Sequence, residues 1–176
     1  MARRNLAGIV AVVIAAIGPA ACSDQTPVTP SVAPADARLA RTVPGSYQLS
    51  FYTNGLQPVS SLPVFQELIL GAHVADAFGA PAQGGSVTFQ YCSLKGGPPN
   101  DINRPDEAPS AACATREASW ANLTSVPVDG SGNAYMNFGF ASIPRTVGFR
   151  IRYSGQRSGV SNGTSAPLDF TWVPIG

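Results

Sequence analysis

Hydrophobic and polar residues alternate along several short stretches of this chain. The first stretch, residues 45–52, places Tyr47, Leu49 and Phe51 on one face, with other residues between them. A period of two is typical of a strand that buries one face. Similar stretches follow, separated by Gly, Pro, Asn and Asp, at 65–74, 87–91, 118–128, 134–140, 149–153 and 168–172. The pattern predicts an all-β domain of about seven or eight short strands, arranged as a two-sheet β-sandwich.

The inward faces of these strands predict the hydrophobic core. Because successive side chains of a strand point to opposite faces, every second residue is expected inside. The expected core residues are Leu49, Phe51, Leu70, Val74, Val87, Phe89, Met136, Phe138, Phe149, Ile151, Phe170 and Trp172.

The first 22 residues have the pattern of a bacterial secretory signal. An arginine pair at residues 3–4 precedes the apolar run Leu6–Ile17, which small residues and then Cys22 follow. The run is short for a bilayer span, so a transmembrane helix is the weaker interpretation. The end of the segment resembles a lipoprotein signal, in which a cysteine after small residues is lipidated and becomes the new N-terminus. The resemblance implies lipid on Cys22. Pro19 departs from the usual aliphatic residue, and ordinary cleavage after Ser23 is the alternative.

These features divide the chain into three parts. Residues 1–21 are the predicted signal peptide, residues 22–44 a tether rich in Pro, Ala and Thr, and residues 45–176 the sandwich domain. A tether without a hydrophobic period is expected to be extended and disordered. In lipoproteins, Asp directly after the cysteine resembles an inner-membrane retention signal, and Ser23 does not. We therefore expect an exported protein anchored at the outer membrane or cell surface, with a soluble periplasmic or secreted form as the alternative.

Charge and cysteine content narrow the function. The net charge is +1, so no long-range field attracts nucleic acid. The chain has three cysteines, and lipid on Cys22 would leave Cys92 and Cys113 as a pair. An oxidising compartment permits a disulfide between them, worth about 3 kcal/mol in the chain-entropy model. Two free buried thiols are the alternative. With one histidine and no CxxC pair, we expect no metal site and no cofactor.

Two turns of the chain share a D-x-x-G pattern. The first lies in HVADAFGAPAQGGSVTF, residues 73–89, and the second in VPVDGSGNAYMNF, residues 126–138. In this order they resemble bacterial immunoglobulin-like domains of the intimin/invasin group, where an apolar strand ends in D-x-x-G-x-P and a V-x-F strand returns. The matching residues are Asp76, Gly79, Pro81, Gly85, Val87 and Phe89 in the first segment, and Asp129, Gly132 and Ala134 in the second.

The resemblance covers roughly residues 68–172 and implies an immunoglobulin-like Greek-key sandwich. In that family the Asp and Gly residues of the turns are structural. The local chemistry agrees, since an Asp carboxylate can accept turn N–H groups and Gly tolerates positive φ. We therefore expect structural turns at Asp76, Gly79, Asp129 and Gly132, and no catalytic residue among them.

The segment between the two cysteines, residues 93–112, is polar and has no periodic pattern. We expect a long mobile loop that contributes to partner contact. Asp101, Asp106 and Glu107 have the chemistry to bind calcium weakly, but we expect a solvated loop instead. His73 is expected on the outer face of its strand, without a catalytic role, because no G-x-S-x-G motif accompanies it.

Two groups of side chains have the chemistry of a binding surface. Arg150, Arg152 and Arg157 form a basic stripe that suits phosphate, a sugar acid or a polyanion, although a simple polar sheet face is the expected interpretation. Trp120 or Tyr135 would serve as a stacking platform in a carbohydrate-binding domain.

Together these features predict a non-enzymatic, membrane-anchored immunoglobulin-like module for adhesion or envelope interaction. The expected partner is an envelope protein or polysaccharide, and the expected state is a monomer. A small carbohydrate-binding domain is the alternative, which two or more coplanar exposed aromatic rings would favour. A hydrolase is the third hypothesis, and a cleft bringing His73 against an acid and a serine would favour it.

Overall fold

The computed structural model describes residues 42–95, 106–155 and 159–176. The predicted signal peptide, Cys22 and most of the predicted tether lie outside these residues, as do Asp101 and Arg157. Of the tether, Val43 is paired: its N–H donates to the carbonyl of Gly159 at 3.0 Å, and its own carbonyl accepts from Ser161 at 2.9 Å. The segment is therefore ordered against the domain from Val43 onward.

The described residues form nine strand segments and one short 3-10 helix, Ser110–Ala114. The strands are β1 Gly45–Tyr52, β2 Ser61–Pro63, β3 Leu68–Asp76, β4 Ser86–Leu94, β5 Ala118–Pro127, β6 Asn133–Gly139, β7 Arg145–Ser154, β8 Gly163–Thr164 and β9 Leu168–Val173. None of the helical structure in this part of the chain is long and apolar enough to cross a membrane.

Two sheets pack face to face, which confirms the predicted all-β sandwich. The smaller sheet has the order β1-β3-β6, and the larger has the order β2-β9-β7-β4-β5 with β8 beside β7. The chain crosses between sheets after β1, β2, β3, β5 and β6. This is the Greek-key order of the immunoglobulin fold, with β1, β3 and β6 in the A, B and E positions and β4, β7 and β9 in the C, F and G positions. Within the described residues, no strand takes the D position next to β6.

The core lies between the sheets and is rich in aromatic rings. Nine of the twelve expected core residues are buried, and Leu49, Met136 and Phe138 pack against them while partly buried. Phe51 contacts Phe170 from the opposite sheet, with 4.9 Å between the ring centroids. Aromatic contacts of this kind stabilise beyond the area they bury. The alternation of each strand therefore located the centre of the sandwich correctly.

The stretch 118–128 forms one strand, although its hydrophobic pattern is irregular. Phe89 of β4 pairs with Thr124, and Gln90 pairs with Asn122, so Leu123 is an extra residue opposite β4. This β-bulge shifts the period of β5 by one residue. The shift explains why the hydrophobic pattern of this stretch is compatible with either one strand or two.

The described part of the loop between the cysteines is structured, which corrects the expectation of a structureless segment. Asp106, Glu107 and Ala108 lie between the end of β4 and the start of β7. The N–H of Ala108 donates to the carbonyl of Cys92 at 3.0 Å, and the N–H of Gly148 donates to the carbonyl of Ala108 at 2.9 Å. These residues therefore continue the hydrogen-bonding of the larger sheet where β4 and β7 separate.

Candidate functional site

The outer face of the larger sheet carries a connected group of polar side chains, which we call the polar face: Gln90, Trp120, Asn122, Arg150 and Arg152. Because β7, β4 and β5 are neighbours and their register aligns Arg150 with Gln90 and Gln90 with Asn122, these residues form a row across three strands. Arg150 Nε donates to Gln90 Oε1 at 2.7 Å, and Gln90 Nε2 donates to Asn122 Oδ1 at 2.6 Å. The row is thus fixed by side-chain hydrogen bonds before any ligand arrives.

Trp120 packs against the guanidinium of Arg150. The Arg150 Cζ lies 4.5 Å from the ring centroid, the geometry of a cation–π contact. Burial lowers the pKa of Arg150, and the nearby positive charge of Arg152 lowers it further. Arg150 remains charged at physiological pH, because an arginine guanidinium stays protonated in proteins. The two arginines therefore give this face a positive character.

A small cleft of about 150 Å³ opens beside this row, and we call it the polar cleft. It lies between β5, β4, β7 and the segment before β8. Its lining residues are Thr88, Asn122, Arg152, Tyr153, Ser154 and Asn162.

The disulfide between Cys92 and Cys113 borders the polar face. The two Cα atoms lie 5.8 Å apart. Cys92 is fully buried and pairs with Trp120 across β4 and β5, and it forms a small apolar cluster with Ala108 and Ala118. The disulfide therefore holds the 3-10 helix against the outer side of the sheet, next to Trp120.

Asp106 and Glu107 are buried, so the expectation that they belong to a solvated loop is wrong. Asp106 Oδ2 accepts from the hydroxyl groups of Tyr91 at 2.9 Å and Ser93 at 2.7 Å. The Glu107 side chain has no exposed surface and forms an ion pair with Arg145 at 2.8 Å. The hydrogen bonds of Asp106 and the ion pair of Glu107 hold this segment against β4 and β7. Within the described residues, no group of three or more His, Cys, Asp and Glu side chains is placed to hold a metal ion.

The two D-x-x-G turns have nearly the same geometry. Asp76 Oδ1 accepts from the N–H groups of Phe78 at 2.8 Å and Ala80 at 2.9 Å. Asp129 Oδ1 accepts from the N–H groups of Ser131 at 2.8 Å and Asn133 at 2.9 Å. Gly79 has φ +86° and Gly132 has φ +78°. The carboxylates thus close the turns, and the glycines supply the left-handed conformation.

The outer face of the smaller sheet holds the other residues singled out from the sequence. His73 is half-buried, and its Nδ1 is hydrogen-bonded to Asn133 Oδ1 at 2.9 Å. Tyr135 contacts Tyr52 edge to face, with 5.7 Å between centroids and 74° between planes. Burial raises the pKa of Tyr135, with smaller contributions from Tyr52 and Asp129. Two rings at this angle do not form the flat platform expected of a carbohydrate-stacking site.

A third surface is apolar and lies where the chain enters β3 and leaves β6. Phe65 and Phe140 are exposed and in contact, with centroids 6.1 Å apart, and exposed Ile143 follows in the same turn. Phe65 has φ +67°, which is rare for a bulky residue. Its N–H donates to the carbonyl of Ala141 at 2.8 Å, so a backbone hydrogen bond holds the strained conformation.

Sequence reasoning found the arginines and Trp120 separately but missed Gln90, Asn122 and Asn162 as members of one site. Neutral amides carry no distinctive motif, and the bulge in β5 hid which face Asn122 occupies. The outward alternation of Gln90 with Phe89 and Tyr91 was the one available signal.

No family model matches this chain, and no curated protein matches it. Among solved structures, the chain is similar to one described as "Crystal structure of PmoD soluble domain from Methylocystis sp. ATCC 49242 (Rockwell)". The similarity covers 72% of this chain and 90% of that chain, with 9% sequence identity and a TM-score of 0.37. At this level we draw no conclusion from it. Membership of the intimin/invasin group therefore stays a prediction.

Proposed function

We propose that this protein is a non-enzymatic binding module that contacts an envelope polysaccharide through the polar face of its larger sheet. The observation that carries the proposal is the row of Arg150, Gln90 and Asn122, which two hydrogen bonds fix and whose Arg150 guanidinium packs against Trp120. Side chains that are already ordered lose little entropy when a ligand binds. Amides and guanidinium groups are also suited to the many oxygen atoms of a sugar polymer.

Anchoring through lipid on Cys22 and a position at the outer membrane or cell surface are part of the same proposal. They are supported by the signal-like pattern of residues 1–21 and by the pairing of Cys92 with Cys113, which leaves Cys22 as the third cysteine. Mass spectrometry of the N-terminal peptide from the native host tests this. A diacylated Cys22 is the expected result, and an unmodified start at Asp24 would contradict it.

The binding proposal is tested with a panel of immobilised neutral and acidic polysaccharides and the full chain. Asn122→Trp places a bulky ring on the polar face. Asn137→Trp is the matched control, because Asn137 is an exposed asparagine on the outer face of the smaller sheet. We expect at least one polysaccharide to be retained by the wild-type protein and by Asn137→Trp, and to be lost by Asn122→Trp. Equal binding by the two variants would refute the assignment to this face.

Contact with an envelope protein is a second candidate, favoured by the apolar surface of Phe65, Phe140 and Ile143. A strained residue persists where the surrounding structure maintains it, and such residues cluster at functional sites. Phe65→Gly removes the strain at φ +67°, so we expect unchanged or higher stability together with weaker binding of a protein partner. A loss of stability without a loss of binding would count against this candidate.

A further inference from the structure

The polar cleft beside the polar face is small. It is enclosed by residues of four segments, and its volume of about 150 Å³ is below the range of about 300–1,000 Å³ that is usual for drug-sized ligands. A cleft of this size suits a single small polar unit.

The two amide side chains of the cleft have their oxygen atoms occupied. Asn122 Oδ1 accepts from Gln90 Nε2 at 2.6 Å, and Asn162 Oδ1 accepts from the N–H of Gly155 at 2.9 Å. An amide whose oxygen is engaged in this way still has an NH₂ group to donate. Both asparagines are exposed, so both NH₂ groups remain for a ligand.

Arg152 adds a positive charge to these donors. It is exposed, and its guanidinium forms no ion pair or hydrogen bond with another described residue. Gln90 orients Arg150 nearby, and the mutual repulsion of the two arginines is one of the causes that lower the pKa of Arg150. No Asp or Glu is among the described residues that line the cleft. The cleft is therefore positively charged, and no acidic side chain of its described lining balances this charge.

We infer that the polar cleft binds a carboxylate-bearing sugar unit of an acidic polysaccharide, with Arg152 pairing with the carboxylate and Asn122 and Asn162 donating to its oxygen atoms. This inference rests on the proposed function and names the class of its ligand. A guanidinium offers two parallel N–H groups that match the two oxygens of a carboxylate. The hydroxyl groups of Thr88 and Ser154 line the same cleft and suit the hydroxyl groups of a sugar.

The test uses the full chain and two polymers with one backbone: polygalacturonate, which carries carboxylates, and its fully methyl-esterified form, which does not. Arg152→Gln removes the charge from the cleft, and Asn122→Asp places a like charge beside the ligand. Arg116→Gln is the matched control, because Arg116 is exposed in the segment after the 3-10 helix and does not line the cleft. Inorganic phosphate and free galacturonate, each used as a competitor, distinguish a general anion site from a carboxylate site.

We expect each cleft variant to weaken polygalacturonate binding by about tenfold or more, because one lost charged hydrogen bond has that effect on affinity. Arg116→Gln should stay within about twofold, as is usual for an exposed charge outside the contact. The esterified polymer should bind the wild-type protein at least about tenfold more weakly.

Four outcomes would overturn the inference. Equal binding of the two polymers, or equal losses in Arg152→Gln and Arg116→Gln, would refute the carboxylate cleft while leaving a neutral polysaccharide on the polar face as the proposed function. Competition by millimolar phosphate as strong as that by free galacturonate would show a general anion site instead. If the wild-type protein binds no polysaccharide of the panel, the proposed function fails as well.

Discussion

Three glycines of the two D-x-x-G turns allow the backbone conformation and the packing of the turns to be separated. Gly79 has φ +86°, and a Cβ built there meets nothing within 4 Å. Gly132 has φ +78°, and its Cβ would lie 2.5 Å from the carbonyl oxygen of Val74 and 3.0 Å from Pro81 Cβ. Gly130 has neither a left-handed φ nor a close neighbour. Gly130→Ala therefore tests neither feature, Gly79→Ala tests the backbone conformation alone, and Gly132→Ala tests both the conformation and the packing.

The expected free energies of unfolding follow from these contacts. Gly130→Ala should be neutral or stabilising by about 0.4–1 kcal/mol, because alanine restricts the unfolded chain. Gly79→Ala should cost about 1 kcal/mol, since an L-residue in the left-handed region costs about 1–2 kcal/mol against that gain. Gly132→Ala should cost about 2–4 kcal/mol, because the overlap with Val74 adds about 1–3 kcal/mol. The carbonyl of Val74 cannot move away easily, since it accepts from the N–H of Ala82 at 2.9 Å.

Urea unfolding followed by tryptophan fluorescence measures this order, because Trp172 is fully buried in the core. The slope of the transition should be the same for all variants, so that the midpoints compare stability alone. Equal losses for Gly79→Ala and Gly132→Ala would refute the contribution of packing between the turns. A loss in Gly130→Ala as large as that in Gly132→Ala would refute the reasoning altogether.

Three further predictions concern the elements that support the polar face and the turns. Replacing Cys92 and Cys113 by Ala should lower the free energy of unfolding by about 3 kcal/mol, given their sequence separation of 21; a reductant should shift the urea midpoint of the wild-type protein but not that of the double variant. Arg145→Met should cost about 3–5 kcal/mol, because it removes the Arg145 cation from its ion pair with the buried Glu107 carboxylate. A double variant that also carries Glu107→Gln should recover part of the loss, and a cycle without coupling would contradict this. Asp129→Ala should cost about 1–2 kcal/mol through two lost N–H···O bonds, whereas Asp129→Asn should be nearly neutral in the same assay.

Local signals in the sequence were sufficient for the architecture and for the turns. The period of two along each strand depends on the pleat alone, so it identified inward residues such as Phe89 and Ile151 without knowledge of their neighbours. The D-x-x-G pattern acts within five residues, so the turns at Asp76 and Asp129 have geometry that local chemistry can specify.

The polar face and the buried acids depended on the tertiary structure. Arg150, Gln90 and Asn122 come from β7, β4 and β5, and only the strand order and the bulge at Leu123 bring them into one row. Asp106 and Glu107 are charged residues in a polar segment, and nothing local distinguishes them from solvated acids. Their burial follows from the separation of β4 and β7, which leaves backbone hydrogen bonds for the segment to complete, and from Arg145, far along the chain, which compensates the charge of Glu107. The sequence thus determined which residues face inward and where the chain turns, whereas the pairing of distant strands decided which polar groups meet.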